Sequence, residues 1–235
     1  MCGILTCMAY RQTEFARDEW YHCYTRSITG QPTFETERDY ERFIQALYLC
    51  NGTKTLRRSA LYRPSHERLL ALDRGRALVA IAAYCVMPNH FHLLLREIRD
   101  DGISSFMQKV GTSFSMYFNI KRTHVGNVFI KPFRSKHIEN DRYLQRVIQY
   151  IHLNPAELFE RDWKSGRVRN MDLLEKKLRA YRYSSLRDYG GTQRPESRLL
   201  DSESMEIFEK RPPLRAVLAE AAEYYADLEP LKATP

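Results

Sequence analysis

The 235-residue chain is poor in cysteine. Cys2, Cys7, Cys23, Cys50 and Cys85 are odd in number and contain no C-x-x-C pair, which argues against a disulfide framework or a zinc knuckle. Cys23 and Cys85 lie inside apolar, strand-like runs and read as small core residues. No apolar run approaches the roughly 20 residues a membrane-spanning helix requires. The mildly apolar start, Met1 to Cys7, has no basic residue before it, unlike a secretory leader, so a cytoplasmic protein with no membrane partner is expected. There is no internal repeat and no low-complexity tract. Disorder does not fit either, because 43% of the residues are hydrophobic against 28% charged. An acidic excess is absent too: 37 lysines and arginines face 29 acids, a net charge of +8. Such a balance favours a polyanionic partner, nucleic acid foremost. The 15 tyrosines suit base stacking, though half-buried packing accounts for most tyrosines in any globular chain.

What is present is an alternation of short elements. Trp20 to Thr25 has strand composition and stops at Thr29-Gly30-Gln31-Pro32. Glu35 to Cys50 carries apolar residues at helical spacing, with acids in its first turn. Residues 51–76 are polar and basic, with a short helix expected around 66–72. Leu78 to Val86 and His90 to Arg96 are apolar runs around Met87-Pro88-Asn89, a hairpin of buried strands. Ile103 to Lys121 predicts a second helix and Val128 to Ile138 a fourth strand. Asp141 to Asn154 predicts a third helix, with Asn140 or Asp141 as cap and Leu144, Val147, Ile148 and Ile151 as its core stripe.

The order β-α-β-β-α-β-α predicts an α+β, ferredoxin-like (split βαβ) antiparallel sheet with helices on one face and one extra helix. Beyond Asn154 the chain turns charged and helical over 161–183. The expected division is an N-terminal extension (1–17), a catalytic domain (18–159) and an accessory helical region with a tail (160–235).

Chemistry concentrates at two places. In His90-Phe91-His92 the two imidazoles point to one face of a strand and Phe91 to the other. Spaced about 7 Å apart, they can chelate a divalent ion through one nitrogen each. A bare H-x-H is short and common as a packed or surface feature. Here, however, it follows a sharp turn on an otherwise apolar hairpin, where buried imidazoles need partners. In Tyr150-Ile151-His152-Leu153-Asn154-Pro155, Tyr150 and Asn154 are i and i+4 and share a helix face. Asn154 offers a hard amide oxygen. With His90 and His92 it would leave positions on Mg²⁺ or Mn²⁺ open to phosphate oxygens. A phenol is a poor nucleophile at neutral pH, so Tyr150 needs such an ion beside it to attack phosphorus. The plain alternatives are a packed aromatic for Tyr150 and a helix-ending residue for Asn154. His152 is turned about 100° from Tyr150 on an ideal helix and is excluded from the ligand set.

Val86-Met87-Pro88-Asn89-His90-Phe91-His92-Leu93-Leu94-Leu95, followed by Tyr150-Ile151-His152-Leu153-Asn154-Pro155, resembles the single-tyrosine HUH transposases, closest to the REP-associated tyrosine transposase branch. Asn127-Val128-Phe129, Phe133-Arg134-Ser135, Tyr183-Ser184-Ser185 and Asp188-Tyr189-Gly190 agree, so that the resemblance covers roughly residues 18–192. Ile130-Lys131-Pro132 departs from the family's usual glutamine there, and Tyr183 stands in for a common tryptophan. The resemblance implies His90 and His92 as metal ligands with Asn154 as the third, and Tyr150 as the catalytic nucleophile. It also implies attack on single-stranded or hairpin DNA through a 5′-phosphotyrosine link that frees a 3′-hydroxyl. The basic residues Lys121, Arg122, Lys131, Arg134 and Lys136, set against the single acid Glu139 between 121 and 139, are the candidate DNA contacts. Arg57, Arg58 and Arg63 form a weaker set. A monomer or homodimer is expected. A non-catalytic nucleic-acid-binding regulator on the same fold, and a phosphoesterase that uses water in place of Tyr150, remain alternatives at this point.

Overall fold

The computed structural model describes residues 14–56, 58, 61–165, 167–206 and 212–221. Arg57, Cys2, Cys7 and most of the N-terminal extension and tail lie outside them.

A four-stranded sheet in the order β2-β3-β1-β4 organises the molecule. Its strands are β1 (Trp20–Arg26), β2 (Val79–Met87), β3 (His90–Glu97) and β4 (Arg134–Ile138), and every neighbouring pair is antiparallel. This is the split βαβ arrangement expected. Helix α1 (Glu37–Cys50) joins β1 to β2, with the short α2 (His66–Leu70) on the way. Helix α3 (Gly102–Arg122) joins β3 to β4, and α4 (Asp141–Leu153) follows β4. Among the described residues no helix is long and apolar enough to cross a membrane.

The alternation of each strand sorts its side chains onto two faces. One face receives Tyr21, Cys23, Phe91, Leu93 and Leu95 and packs beneath α1 and α3 with Phe34, Phe43 and Phe114. The other receives Ala83, Cys85, Met87 and Leu94, and α4 lays Leu144, Val147, Ile148 and Ile151 on it. That is the apolar stripe read from the sequence. Each such side chain contributes about 1.5–3 kcal/mol on burial. The small residues of β2 let α4 approach closely. Asn140 caps α4, its side chain accepting from the Tyr143 backbone N–H.

The fourth strand is shorter than expected. Only Arg134–Ile138 pairs with β1, and Val128 to Phe133 runs irregularly, touching the sheet edge at the Ser27–Phe129 bridge. Pro132 has no N–H to offer a ladder. The expected helical stretch over 161–183 is likewise reduced to a 3₁₀ turn at Trp163–Ser165 and α6 (Met171–Ala180).

The chain beyond α4 closes two gaps. Residues 183–185 lie along the open edge of β2: the Val86 N–H donates to the Tyr183 carbonyl at 2.9 Å, and the Ser185 N–H to the Tyr84 carbonyl at 3.0 Å. An edge that would otherwise invite pairing with another chain is thereby covered. Helices α5 (Ala156–Phe159) and α6, together with helical residues 214–221, build a third apolar cluster around Leu153, Trp163, Leu178 and Leu218. This cluster sits at the C-terminal end of α4, next to Tyr150. Cys23, Cys50 and Cys85 are free thiols.

Candidate active site

β3 presents His90 and His92 to the face on which α4 lies, with ring centroids 5.1 Å apart and perpendicular. α4 brings Tyr150 onto the same face: its ring centroid is 5.5 Å from that of His92, edge to face. Asn154 directly follows α4, with its side chain turned back along the helix, the Asn154 Nδ2 donating to the Tyr150 carbonyl at 2.8 Å. The fold therefore brings together the four residues that sequence spacing singled out, two from a strand and two from a helix some sixty positions later.

Each imidazole is held from behind. The His90 Nδ1 lies 2.7 Å from the Asn89 Oδ1, and the His92 Nδ1 lies 2.9 Å from the Nε2 of His22 on β1. In both rings Nε2 is the nitrogen left for a ligand, the arrangement usual at metal-binding histidines. With the Asn154 Nδ2 engaged by a carbonyl, its Oδ1 is the free end of the amide. Two ring nitrogens and one amide oxygen fit a divalent cation that keeps positions for oxygen ligands. Among the described residues no three His, Cys, Asp or Glu side chains form a metal-holding group, so the amide is essential to any such set.

Burial sets the protonation states. It pushes the His22 ring down to about 4, with the Lys136 ammonium adding to the effect. It lowers His92 well below the ordinary imidazole value, helped by His22, His90 and Lys164. His90 is lowered by burial as well, against an opposing pull from Glu157. All three rings are thus neutral and able to offer lone pairs at neutral pH. The Tyr150 phenol moves up, through burial first and then the negative charge of Glu157. Left alone, it would resist ionisation.

A cavity of about 480 Å³ opens beside these groups, lined by His22, His92, Tyr150, Lys136, Arg146 and Trp163 among others. Its far wall includes Val217 and Glu220 of helical residues 214–221, so the chain beyond residue 160 supplies part of the site. His152, turned away as expected, is buried with its Nε2 2.8 Å from the Ser185 Oγ and packs on Tyr189.

The basic residues divide. Arg134 and Lys136 on β4 pair with Tyr24 and His22 and so share the face of Tyr150. Lys131 is exposed in the irregular stretch before β4. Lys121 and Arg122 do not join them. They end α3 on the opposite face, where Lys121 binds the buried Asp39 at 2.5 Å and Arg122 pairs with Glu35. The expectation of one continuous track from Lys121 to Lys136 is corrected here, because the intervening chain crosses from one side of the sheet to its edge. Lys121 lines a different groove, of about 1150 Å³, with Arg38, Arg42 and Arg58. Sequence reading missed His22, Arg146 and Trp163. His22 carries no motif, and only the pairing of β1 with β3 reveals its place. Arg146, one helical turn before Tyr150, was accessible from i, i+4 spacing.

Residues 57–154 match the family model described as IS200-like transposases. No curated protein matches the chain. Among solved structures the chain is similar to a REP-associated tyrosine transposase bound to a REP hairpin, with a TM-score of 0.51 and 16% identity over 80% of this chain and 90% of that one. The matched segment contains His90, His92, Tyr150 and Asn154. Over residues 57–154 the chain is thus similar to IS200-like transposases, and its fold is the one seen in a REP-associated tyrosine transposase.

Proposed function

We propose that the protein is a metal-dependent transesterase for single-stranded DNA, cutting and rejoining strands at hairpin or repeat sequences through a 5′-phosphotyrosine intermediate. The observation that carries this reading is the convergence of the Tyr150 phenol with His90, His92 and Asn154 on one face of the sheet, beside a cavity with lysine and arginine on its wall.

His90 and His92 would hold Mg²⁺ or Mn²⁺ through Nε2, with Asn154 as third ligand through Oδ1. The ion, when bound, supplies Lewis-acid polarisation of the scissile phosphate and fixes its orientation. Lys136 and Arg146 offset the phosphate charge as the strand enters the cavity. The Tyr150 oxygen then forms a new bond to phosphorus in line with the departing 3′ oxygen. The P–O3′ bond breaks, the 3′ oxygen leaves as a hydroxyl having gained a proton, and the phenolic proton is given up. The phosphodiester is exchanged rather than hydrolysed, so the reverse attack by another 3′-hydroxyl rejoins DNA without an external energy source. The hairpin-bound similar structure supports hairpin DNA as the partner.

The test is incubation of the purified protein with a hairpin carrying a single-stranded tail, in Mn²⁺ or Mg²⁺, followed by a denaturing gel. A protein–DNA adduct that survives denaturation, forms only with metal and disappears in Tyr150→Phe is the expected result. Cleavage that persists in Tyr150→Phe would replace the phenol by water as nucleophile. Binding without cleavage in either metal would leave a non-catalytic binding protein.

A further inference from the structure

We propose that His22 is a positioning residue for the metal site: its Nε2 accepts the Nδ1–H of His92, and this fixes the His92 tautomer that leaves Nε2 free to bind a divalent ion. The inference rests on the metal-dependent reading above and goes beyond its ligand set.

The antiparallel register of β1 and β3 sets Tyr24 opposite His92 and His22 opposite Leu94. His22 and His92 are thus diagonal neighbours on the α4 face, within reach of each other for ring side chains. The two rings lie 5.1 Å apart between centroids and within 24° of parallel. Both are buried, His22 at 8% and His92 at 6% exposure, and the Nε2 of His22 meets the Nδ1 of His92 at 2.9 Å.

A contact of that length between two ring nitrogens carries a single proton. It can sit in two ways. If it belongs to His22 Nε2, then His92 Nδ1 accepts, the neutral His92 ring must carry its own proton on Nε2, and that nitrogen cannot ligate. If it belongs to His92 Nδ1, the lone pair falls on His92 Nε2 and the ring is ready for metal. Only the second arrangement is compatible with the site.

His90 shows the same device with no freedom left in it. The Asn89 Nδ2 donates to the Gly30 carbonyl at 2.8 Å, so the Asn89 Oδ1 is the end facing His90. An amide oxygen can only accept, which places the His90 proton on Nδ1. The two ligands thus have unlike supports: a fixed acceptor behind His90, and behind His92 an imidazole that can either accept or donate. Metal binding must select the accepting form of His22, and loss of that acceptor leaves the His92 proton free to move to Nε2. Tyr150 also touches both rings, at 5.8 Å from His22 and 5.5 Å from His92, so the pair seats the nucleophile as well.

Two measurements test this. Titration of the full-length protein with Mn²⁺ by calorimetry should show His22→Phe binding about 10–100-fold more weakly than wild type, with part of the loss restored in His22→Gln, whose amide oxygen can accept. Wild-type affinity in a folded His22→Phe protein would overturn the proposal. His92→Ala is the control for the underlying reading: if it too binds Mn²⁺ as wild type does, the ligand assignment fails and not the role of His22 alone. The second measurement needs no variant. In the Mg²⁺-loaded wild-type protein, nitrogen-15 spectra of the histidine rings should place the His92 proton on Nδ1; a proton on Nε2 would overturn the proposal even if His22→Phe does not fold.

Discussion

The two faces of one sheet do opposite things with the same strand. β3 sends Phe91, Leu93 and Leu95 down into an aromatic core beneath α1 and α3, where the Phe43 ring meets those of Phe91 and Phe114 at 4.6 and 5.4 Å. It sends His90 and His92 up towards α4, where the neighbours are another imidazole, a phenol and an open cavity. The first face gains free energy from nearly every contact it makes. The second holds imidazoles out of water, each retained by a hydrogen-bonding partner that offsets its desolvation. One side keeps the molecule folded while the other keeps reactive groups in register, and the strand between them transmits the rigidity of the first to the second.

Substitutions should separate the faces. The largest effect is expected at Tyr150→Phe, which removes one oxygen: the DNA adduct falls below detection on a denaturing gel, while the melting temperature followed by circular dichroism scarcely moves. Phe43→Ala should behave in the opposite way. Phe43 is fully buried, so truncation costs about 3–5 kcal/mol by urea unfolding, and whatever protein remains folded still forms the adduct. A Phe43→Ala protein as stable as wild type would break the contrast.

A smaller effect distinguishes two lysines that the sequence grouped together. Lys136→Ala should weaken hairpin binding and reduce the slope of log affinity against log salt by about 1, since it lines the cavity. Lys121→Ala should leave that slope alone and lower stability instead, because the buried Asp39 carboxylate, which also accepts from the Tyr117 hydroxyl at 2.7 Å, loses its cation. Equal salt slopes for the two variants would show that the basic surface acts as a single track.

Acid should act on the two faces in different windows. His22 takes up protons near pH 6.5 when unfolded but only near 4 when folded. Between these values the unfolded chain binds more protons, so stability falls as pH drops from about 6.5 to about 4. His90 and His92 shift in the same direction and add to it. On the other side, burial works to raise Glu196, but the His66 ring, 3.3 Å from its carboxylate, prevails and holds it at about 2. Its contribution is present above the ordinary value of 4.5 and is lost as pH falls towards 2. Melting temperatures across pH 2–8 should therefore decline in two stages, and His22→Phe should flatten only the upper one.

Much of this was legible from spacing. The period-two alternation of β3, the helical stripe of α4 and the turn at Met87-Pro88-Asn89 are local properties, and they suffice to put two imidazoles on one strand face and Tyr150 with Asn154 on one helix face. Lengths were harder wherever a single residue overrode composition, as at Pro132, which ends an otherwise strand-like run. Lys121 and Arg122 misled because nearness in sequence across a loop is not nearness in space.

The amino-acid order alone determined which side chains share a face within each element, because dihedral geometry fixes those periods regardless of surroundings. Only the tertiary structure decided which faces meet. The β1–β3 register brings His22 behind His92, and docking of α4 on the small residues of β2 brings Tyr150 over both. Residues from beyond position 160 wall the cavity. Those encounters depend on packing between segments far apart in the chain, and no local rule of spacing encodes them.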